Sequence, residues 1–220
     1  MYQPAHFDET RPEVVRELMR AHPLATLVTL DADGLNANHI PLLFDAEDGP
    51  HGTLRGHVAR GNPVWRQAPR VHDALAIFQG PQAYISPSWY PAKQVDGKVV
   101  PTWNYAVVHA YGPLVIKDDI AWMRRFLERL TTRHESVQAH PWKIADAPDD
   151  FIAKHMAAVV GIEIPVTRIF AKWKVSQNRS RADGIGVAAG LRNGAATRSD
   201  SSALGMADLV EARALAKPAT

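Results

Sequence analysis

The segment from Leu24 to Phe44 most constrains what this chain can fold into. Residues 24–30 are apolar and β-branched, an Asp-Ala-Asp-Gly turn follows, and a second strand-like run begins at Leu35. An Asp-Gly step between two such runs is a strong hairpin signal, because glycine readily adopts the positive φ that tight turns require. The segment therefore predicts two strands, Leu24–Leu30 and Leu35–Phe44, paired antiparallel.

Further strand-like segments follow without a helix between each pair. They are predicted at Thr53–Ala59, Asp73–Phe78 and Ala83–Ser86, with longer ones at Trp103–Ile116 and Ile162–Val175. Strands joined by short loops favour an antiparallel barrel over a doubly wound parallel sheet. The expected fold class is therefore mainly β, an α+β arrangement with flanking helices.

Three segments have the apolar spacing of helices. The first begins at the capping-box sequence that starts with Thr10, and it ends before Pro23. The second extends over Asp118–Gln138, and a short third over Asp149–Val159. Beyond Arg192 the sequence is rich in Ala, Ser, Gly and Thr, which predicts a loosely ordered or packing tail.

Composition narrows the class of protein. A chain of 220 residues that is 46% hydrophobic and 22% charged suits one globular domain. No apolar run approaches the roughly 18 to 20 residues that span a bilayer, and the N-terminal residues lack the features of a signal peptide, so we expect a cytoplasmic protein with no membrane partner. With no cysteine there is no thiolate metal site, and a formal charge of +2 is too small to indicate nucleic acid.

The run from Tyr84 to Asn104 combines large aromatic rings with hydroxyls, an amide and an amine. Such a mixture suits a ligand that has a flat ring at one end and polar or anionic groups at the other. Ser86, Ser88 and Lys93 are the candidate polar contacts in its first half. An aromatic corner in an ordinary core is the alternative explanation.

Two strand segments also carry polar groups in unusual places. Asn36 and Asn38 lie within a predicted strand, where asparagine is disfavoured, and they indicate either a ligand-binding edge or solvent-facing amides. The strand that ends near Arg60 leads into a Gly/Asn/Pro turn. Backbone N–H groups and a forked cation in such a turn make a candidate phosphate cradle, while an exposed arginine in a plain turn is the alternative.

The segment from Lys172 to Arg179 alternates cations and amides around Trp173. This pattern suits an anionic cofactor or nucleic acid, and a solvated strand end is the alternative. The sequence has no G-x-G-x-x-G, Gly-Lys-Ser/Thr, H-E-x-x-H or G-x-S-x-G motif. It therefore identifies no catalytic residue, which leaves open whether the protein is an enzyme, and it predicts no metal site.

Motifs along most of the chain resemble the PaiB family of FMN-binding proteins, which are often called negative transcriptional regulators. They read HPLATLV, GLNANHIPLL, GHVARGNPVW, FQGPQAYISPSWYP, VPTWNYAVVHAYG and KWKVSQNR, in that order, and the resemblance extends from Met1 to about Leu191. It implies a split β-barrel of the flavin-reductase and pyridoxamine-phosphate-oxidase type over residues 1–192, with a tail at 193–220. It also implies a homodimer that holds FMN at the subunit interface.

The resemblance assigns roles to the candidate residues. Those implied on the ring side of FMN are Asn38, His39 and Ile40. Those implied at the phosphate end are His57, Val58, Ala59, Arg60 and Asn62. Those implied to come from the partner subunit are Trp103, Asn104, Gln177 and Arg179.

The function implied is that of a flavin-dependent regulator or sensor. Two alternatives stay open, namely an oxidoreductase of the NAD(P)H:flavin reductase type and a haem-binding protein with His39 or His57 as ligand. Direct contact with DNA also stays open. No motif supports it, because the sequence has neither a helix-turn-helix pattern nor a basic helix.

Overall fold

A computed structural model describes residues 1–67, 72–198 and 200–218. The chain divides into two compact units. The first unit comprises Met1–Leu18, Gln79–Val108 and Phe170–Thr220, and the second comprises Met19–Phe78 and His109–Ile169.

The described residues form helices and strands in an α+β order. The helices are α1 (Pro12–Ala21), α2 (Val64–Gln67), α3 (Ile120–Glu135), α4 (Asp149–Ala157), α5 (Arg181–Arg198) and α6 (Ser201–Leu215). The strands are β1 (Leu24–Asp31), β2 (Gly34–Pro41), β3 (Leu43–Asp45), β4 (Thr53–Ala59), β5 (Ala74–Ile85), β6 (Thr102–Gly112), β7 (Val115–Lys117), β8 (Val159–Pro165) and β9 (Arg168–Lys174).

The strands form two sheets, with orders β2-β1-β5-β6-β9 and β3-β4-β8-β7. Neighbours β1–β2, β1–β5, β3–β4, β4–β8 and β7–β8 pair antiparallel. In the first hairpin Leu30 lies opposite Leu35, with Gly34 in the turn at a φ of 113°. The expected antiparallel α+β fold is confirmed.

Four of the predicted strand assignments are wrong, and prolines or close packing explain the differences. The segments predicted at Asp73–Phe78 and Ala83–Ser86 form one strand, β5, through Gly80. A Cβ on Gly80 would lie 2.6 Å from the side chain of Leu18, so glycine permits close packing and does not end the strand.

The other three differences fall at prolines. The predicted strand from Leu35 to Phe44 is divided after Pro41 into β2 and β3, which belong to different sheets. The predicted strand from Trp103 to Ile116 is divided into β6 and β7 beside Pro113, and the one from Ile162 to Val175 is divided into β8 and β9 after Pro165. Proline has no N–H to donate to a ladder, so it interrupts the pairing even where the flanking residues suit a strand.

In the second unit, α3 packs on the four-stranded sheet through Trp122. A Cβ on Gly161 of β8 would lie 2.2 Å from the Trp122 ring, so only glycine leaves room for it. Trp122 also stacks on Phe126 with ring centroids 5.2 Å apart. The apolar stripe of α3 thus meets the sheet, and the cluster beneath it consists of Leu43, Met123, Phe126, Ile144, Ile152 and Met156.

In the first unit, α5 and α6 pack against each other. A Cβ on Gly184 would lie 2.7 Å from that of Ala214, which shows how closely the two helices approach. Helix α6 buries Met206 and Val210 among small residues. Helix α5 runs across residue 192, and the division expected there stays a prediction.

Candidate functional site

The second unit brings Asn38 and Asn62 into direct contact. The Asn62 Nδ2 donates to the Asn38 Oδ1 at 2.7 Å, and the Asn38 Nδ2 donates to the Asn36 Oδ1 at 3.0 Å. The Asn62 Oδ1 accepts from the backbone N–H of Val64 at 3.0 Å. Two segments that the resemblance assigned to opposite ends of a ligand are therefore joined by a chain of side-chain amides.

The guanidinium of Arg60, in the turn after β4, makes four hydrogen bonds within the protein. It donates to both carboxylate oxygens of Asp118, to the carbonyl of Ala157 at 2.8 Å and to the carbonyl of Val159 at 3.3 Å. Its hydrogen bonds lower the pKa of the Asp118 carboxyl, and Asp118 in turn raises the pKa of Arg60. An anionic ligand at Arg60 would have to share this cation with Asp118.

Trp65 fixes the same turn from the side of α2. Its indole Nε1 donates to the Arg60 carbonyl at 3.0 Å, and the Arg60 guanidinium lies 5.6 Å from the centre of its ring. The turn is consequently held by backbone and side-chain contacts on two sides, which gives Arg60 and Asn62 defined positions.

The remaining candidates of the second unit differ in exposure. Ile40 and Val58 are core residues, each 4% exposed, so only their backbone atoms are available to a ligand. His39 and Ala59 are exposed. The His57 ring packs edge-on against Phe126, 5.8 Å away between centroids.

The pKa of His57 is shifted as well. Its Nδ1 is buried without a hydrogen-bond partner among the described residues. Burial lowers the pKa of the ring, because the charged form would lose hydration that nothing replaces. His57 is therefore a neutral imidazole with an unused polar atom.

In the first unit, the aromatic run is packed against α5. A Cβ on Gly190 would lie 2.3 Å from the Trp89 ring, and one on Gly186 would lie 2.2 Å from the Trp89 carbonyl. Tyr90 is only 2% exposed, and its hydroxyl has no partner among the described residues. The Arg179 guanidinium lies 4.8 Å from the Tyr90 ring centre. Internal packing thus accounts for much of this aromatic cluster.

The polar candidates of that run make local contacts. The Ser86 Oγ accepts from the backbone N–H of Ser88 at 3.2 Å and caps the short turn Pro87–Trp89. The Lys93 Nζ lies 3.4 Å from the Ser88 Oγ. Ser88 and Lys93 are exposed, so both could still reach a ligand.

Trp103 and Asn104 are neighbours on β6 with opposite environments. Trp103 is 49% exposed, donates to the Gln82 Oε1 at 2.8 Å and meets the Tyr84 ring edge-on. Asn104 is 1% exposed and donates to the Ser176 Oγ at 2.8 Å, while its Oδ1 has no partner among the described residues. Alternation along the strand places only Trp103 on the open face.

Both the oxygen and the nitrogen of the Gln177 side-chain amide form hydrogen bonds within the protein. Its Oε1 accepts from the N–H of Val175 at 2.7 Å, and its Nε2 donates to the carbonyl of Trp173. The Lys217 Nζ donates to the carbonyls of Gln177, at 2.9 Å, and Arg179. A lysine from the end of the chain therefore fixes the loop that carries two candidate residues.

Sequence reasoning missed Asp118 and Lys217. Asp118 reads as a favourable acid at the start of a helix, and Lys217 lies in a tail that carries none of the recognised motifs. No local signal links either residue to partners 38 to 58 positions away. Among the described residues no group of three or more metal-binding side chains occurs, and no helix is long and apolar enough to cross a membrane.

Comparison with known proteins places the chain in a family. Residues 1–168 match the family described as "Putative FMN-binding domain". The chain is 35% identical to the Bacillus subtilis protein named "Protease synthase and sporulation protein PAI 2", over 96% of this chain and 97% of that protein.

Solved structures share the fold at low sequence identity. A flavocytochrome from Azotobacter vinelandii superposes with a TM-score of 0.52 at 14% identity, covering 76% of this chain and 69% of that one. A FAD and haem binding protein from Mycobacterium smegmatis has a TM-score of 0.51 at 16% identity, covering 76% and 73%. The fold is the antiparallel split β-barrel with flanking helices, and the cofactor is FMN. The chain therefore belongs to the PaiB family of FMN-binding split-barrel proteins.

Proposed function

We propose that this protein is a homodimeric, flavin-dependent regulator or sensor whose FMN is held by the turn after β4 and by β2. The observation that carries the site is the hydrogen bond between Asn62 and Asn38, because it joins these two segments. The regulatory role draws support from the Bacillus subtilis relative, whose name refers to protease synthesis and sporulation.

The side-chain amides of β2 and of the turn after β4 suit hydrogen bonding to the polar groups of FMN. Side-chain amides carry both donors and acceptors, which match the alternating carbonyl and N–H groups along the edge of a flavin ring. Asn36, Asn38 and Asn62 are all half-buried, so they are accessible while their orientation is fixed. We assign these amides to the polar edge of the ring or to the ribityl hydroxyls.

The phosphate of FMN fits the site on the condition that Arg60 exchanges Asp118 for it. Arg60 offers the planar fork that binds phosphate oxygens well, but Asp118 already occupies that fork. A phosphate dianion would draw the guanidinium away from a singly charged carboxylate. Arg60 therefore stays a predicted ligand, and Asp118 is its internal competitor.

The homodimer is supported by an apolar face on β1 and β2. The alternation of both strands places the Asn36–Asn38 amides on one side and, on the other, a row that is mostly apolar and includes Thr26 and His39. In that row Leu24 is 61% exposed, Leu30 is 40% exposed and Leu35 is 81% exposed. Exposed leucines at a sheet edge are typical of a protein interface, and we assign this face to a second copy of the chain.

Bound FMN supplies one- or two-electron redox chemistry and a visible absorption band. A sensor uses a change in flavin state or occupancy as its signal, whereas an oxidoreductase turns the flavin over. Anaerobic mixing of the FMN-loaded protein with NADPH or NADH separates these functions. A regulator or sensor keeps its oxidised absorption band, while rapid bleaching by either nicotinamide would replace the proposal with a reductase.

A second candidate is a haem protein, favoured by the unpartnered Nδ1 of His57. Neutral imidazole is a common haem ligand, and two of the solved structures with this fold carry haem-protein names. Purified protein with a Soret band that disappears in His57→Gln would favour haem. A flavin spectrum without that band would leave the first proposal standing.

Regulation through DNA is a separate part of the proposal. A gel shift that keeps its sequence preference above about 200 mM salt would support direct contact with DNA. A shift that is lost at that salt and shows no preference would indicate bulk electrostatics, and the regulatory route would then pass through another protein.

A further inference from the structure

An open cleft of about 1150 Å³ lies beside the C-terminal half of α3 in the second unit. We call it the arginine cleft, because Arg20, Arg125, Arg129 and Arg133 line it. Three of them follow each other at intervals of four residues on α3, which places them on one helix face along roughly 12 Å. The fourth comes from the last turn of α1.

Most of these cations are not neutralised within the protein. Arg129 pairs with Asp45 at 2.8 Å, and the Arg133 Nη2 donates to the backbone carbonyl of Arg20 at 2.9 Å. In the part of the chain that the structure describes, no carboxylate pairs with Arg20, Arg125 or Arg133. Neighbouring like charges without counterions create a positive potential, and that potential is relieved when an anion binds.

The one acid in the lining, among the described residues, does little to offset this potential. Glu128 faces the cleft, but its carboxylate pairs with Arg124 on the same helix at 3.3 Å. Arg124 does not line the cleft and is therefore a matched internal comparison, an exposed α3 arginine of the same chemistry beside the site.

The lining of the cleft also contains apolar residues. Pro23, Leu43 and Phe44 belong to it, together with the hydroxyl-bearing residues Thr132 and Ser136. A small-molecule site combines an apolar surface with a few placed polar groups, and typical volumes are about 300–1,000 Å³. This cleft is of that order, and its ligand should have an apolar body with several negative charges.

We propose that the arginine cleft binds a nucleoside diphosphate or triphosphate. Its phosphates meet Arg20, Arg125 and Arg133, whose guanidinium forks match phosphate oxygens in pairs. Its base contacts the apolar part of the lining, which includes Phe44. Three uncompensated cations suit a chain of phosphates better than the single phosphate of FMN, and none of the cleft residues is a candidate FMN residue.

The test uses the full chain loaded with FMN and the fluorescent N-methylanthraniloyl derivative of ADP. We expect micromolar to submillimolar binding that weakens as salt rises. The double variant Arg20→Gln with Arg125→Gln should bind at least about tenfold more weakly, since it removes two charge-assisted contacts. Arg124→Gln should bind within about twofold of the original protein, and the FMN absorption band should be the same in all three.

Several outcomes would overturn the proposal. They are an equal loss in Arg124→Gln and in the double variant, no saturable binding at all, displacement of the probe by added FMN, and equal affinity for inorganic tripolyphosphate and ADP. Equal affinity for tripolyphosphate and ADP would show that the base makes no contact with the cleft. Tighter binding of a single-stranded oligonucleotide than of ADP would reassign the cleft to nucleic acid. Because the FMN band is recorded in each experiment, failure at the cleft is distinguishable from failure to bind flavin.

Discussion

The guanidinium of Arg60 holds the carboxylate of Asp118 through two hydrogen bonds, 3.0 Å long from Nη1 and 2.6 Å long from Nη2. The two residues are far apart in the sequence, and the pair occupies the very group that the resemblance assigns to the phosphate of FMN. The exposed pair itself adds little to stability, because solvent screens it. Its importance is that Asp118 competes with the phosphate for one cation.

The first prediction concerns this competition. Arg60→Ala should weaken FMN binding about ten- to a hundredfold, because it removes a charge-assisted contact with the phosphate. Asp118→Asn should strengthen binding by roughly twofold to tenfold, since it frees the guanidinium. Titration of FMN fluorescence measures both. Arg66→Ala, at an exposed α2 arginine, is the control, and equal affinities in all variants would exclude Arg60 as the phosphate ligand.

The second prediction concerns the apolar face of β1 and β2. Leu35→Glu places a charge at a residue that is 81% exposed, so the monomer should fold normally. A dimer that buries this face would have to desolvate the new carboxylate, and we expect monomers by light scattering and weaker FMN binding. Val95→Glu, at a residue that is 85% exposed, should leave the dimer intact. Dimers of unchanged affinity in Leu35→Glu would place the interface elsewhere.

The third prediction concerns a buried charge network in the second unit. Glu163 accepts from Arg55 at 2.8 Å and from Trp122 at 3.1 Å, and pairs with Lys117 at 2.8 Å. Burial alone would raise the pKa of Glu163, but these three donors together lower it. Glu163→Ala should reduce the free energy of unfolding by about 1–3 kcal/mol, because it leaves Lys117 without its carboxylate and removes one of the three carboxylates that pair with Arg55. Glu128→Ala on the exposed side of α3 should change it by less than about 0.5 kcal/mol in urea unfolding.

The fourth prediction follows from the buried ring of His57. Burial lowers its pKa in the folded state, while in the unfolded chain it titrates near about 6.5. Below that pH the unfolded state binds a proton that the folded state does not, so stability falls as pH falls. Tm should decrease between about pH 7.5 and about pH 5.5, and less steeply in His57→Gln than in the exposed control His51→Gln. Equal slopes in the two variants would contradict the assignment.

The fifth prediction concerns Lys217, which donates to the carbonyls of Gln177 and Arg179. Lys217→Met removes both hydrogen bonds and keeps the length of the side chain. Amide hydrogen exchange should accelerate at residues 176–179, because the loop loses its anchor. Lys98→Met, at an exposed lysine, should leave these amides unchanged. If Lys217→Met exchanges like the original protein, the loop is held without the tail.

Much of the fold could be predicted because its signals are local. The Asp-Gly turn specified the β1–β2 hairpin, the alternation of Thr53–Ala59 specified β4, and the apolar stripe with its acidic start specified α3. The candidate site was harder to predict. Residue type indicates what chemistry a side chain can do, but it does not indicate which other groups surround that side chain. The aromatic residues near Trp89 are compatible with binding a ligand. They are equally compatible with the packing against the glycines of α5 that the structure has.

By itself the sequence determined most of the strands, the helices α1, α3 and α4, the family and the flavin. Only the tertiary structure decided that Asn62 reaches Asn38, that Asp118 occupies Arg60 and that arginines of α1 and α3 share a cleft. The physical reason is that periodicity records which face of an element is buried, while the element that covers that face is chosen by chain topology. Contacts between residues far apart in the chain therefore carry the charge and hydrogen-bond partners that no local pattern contains.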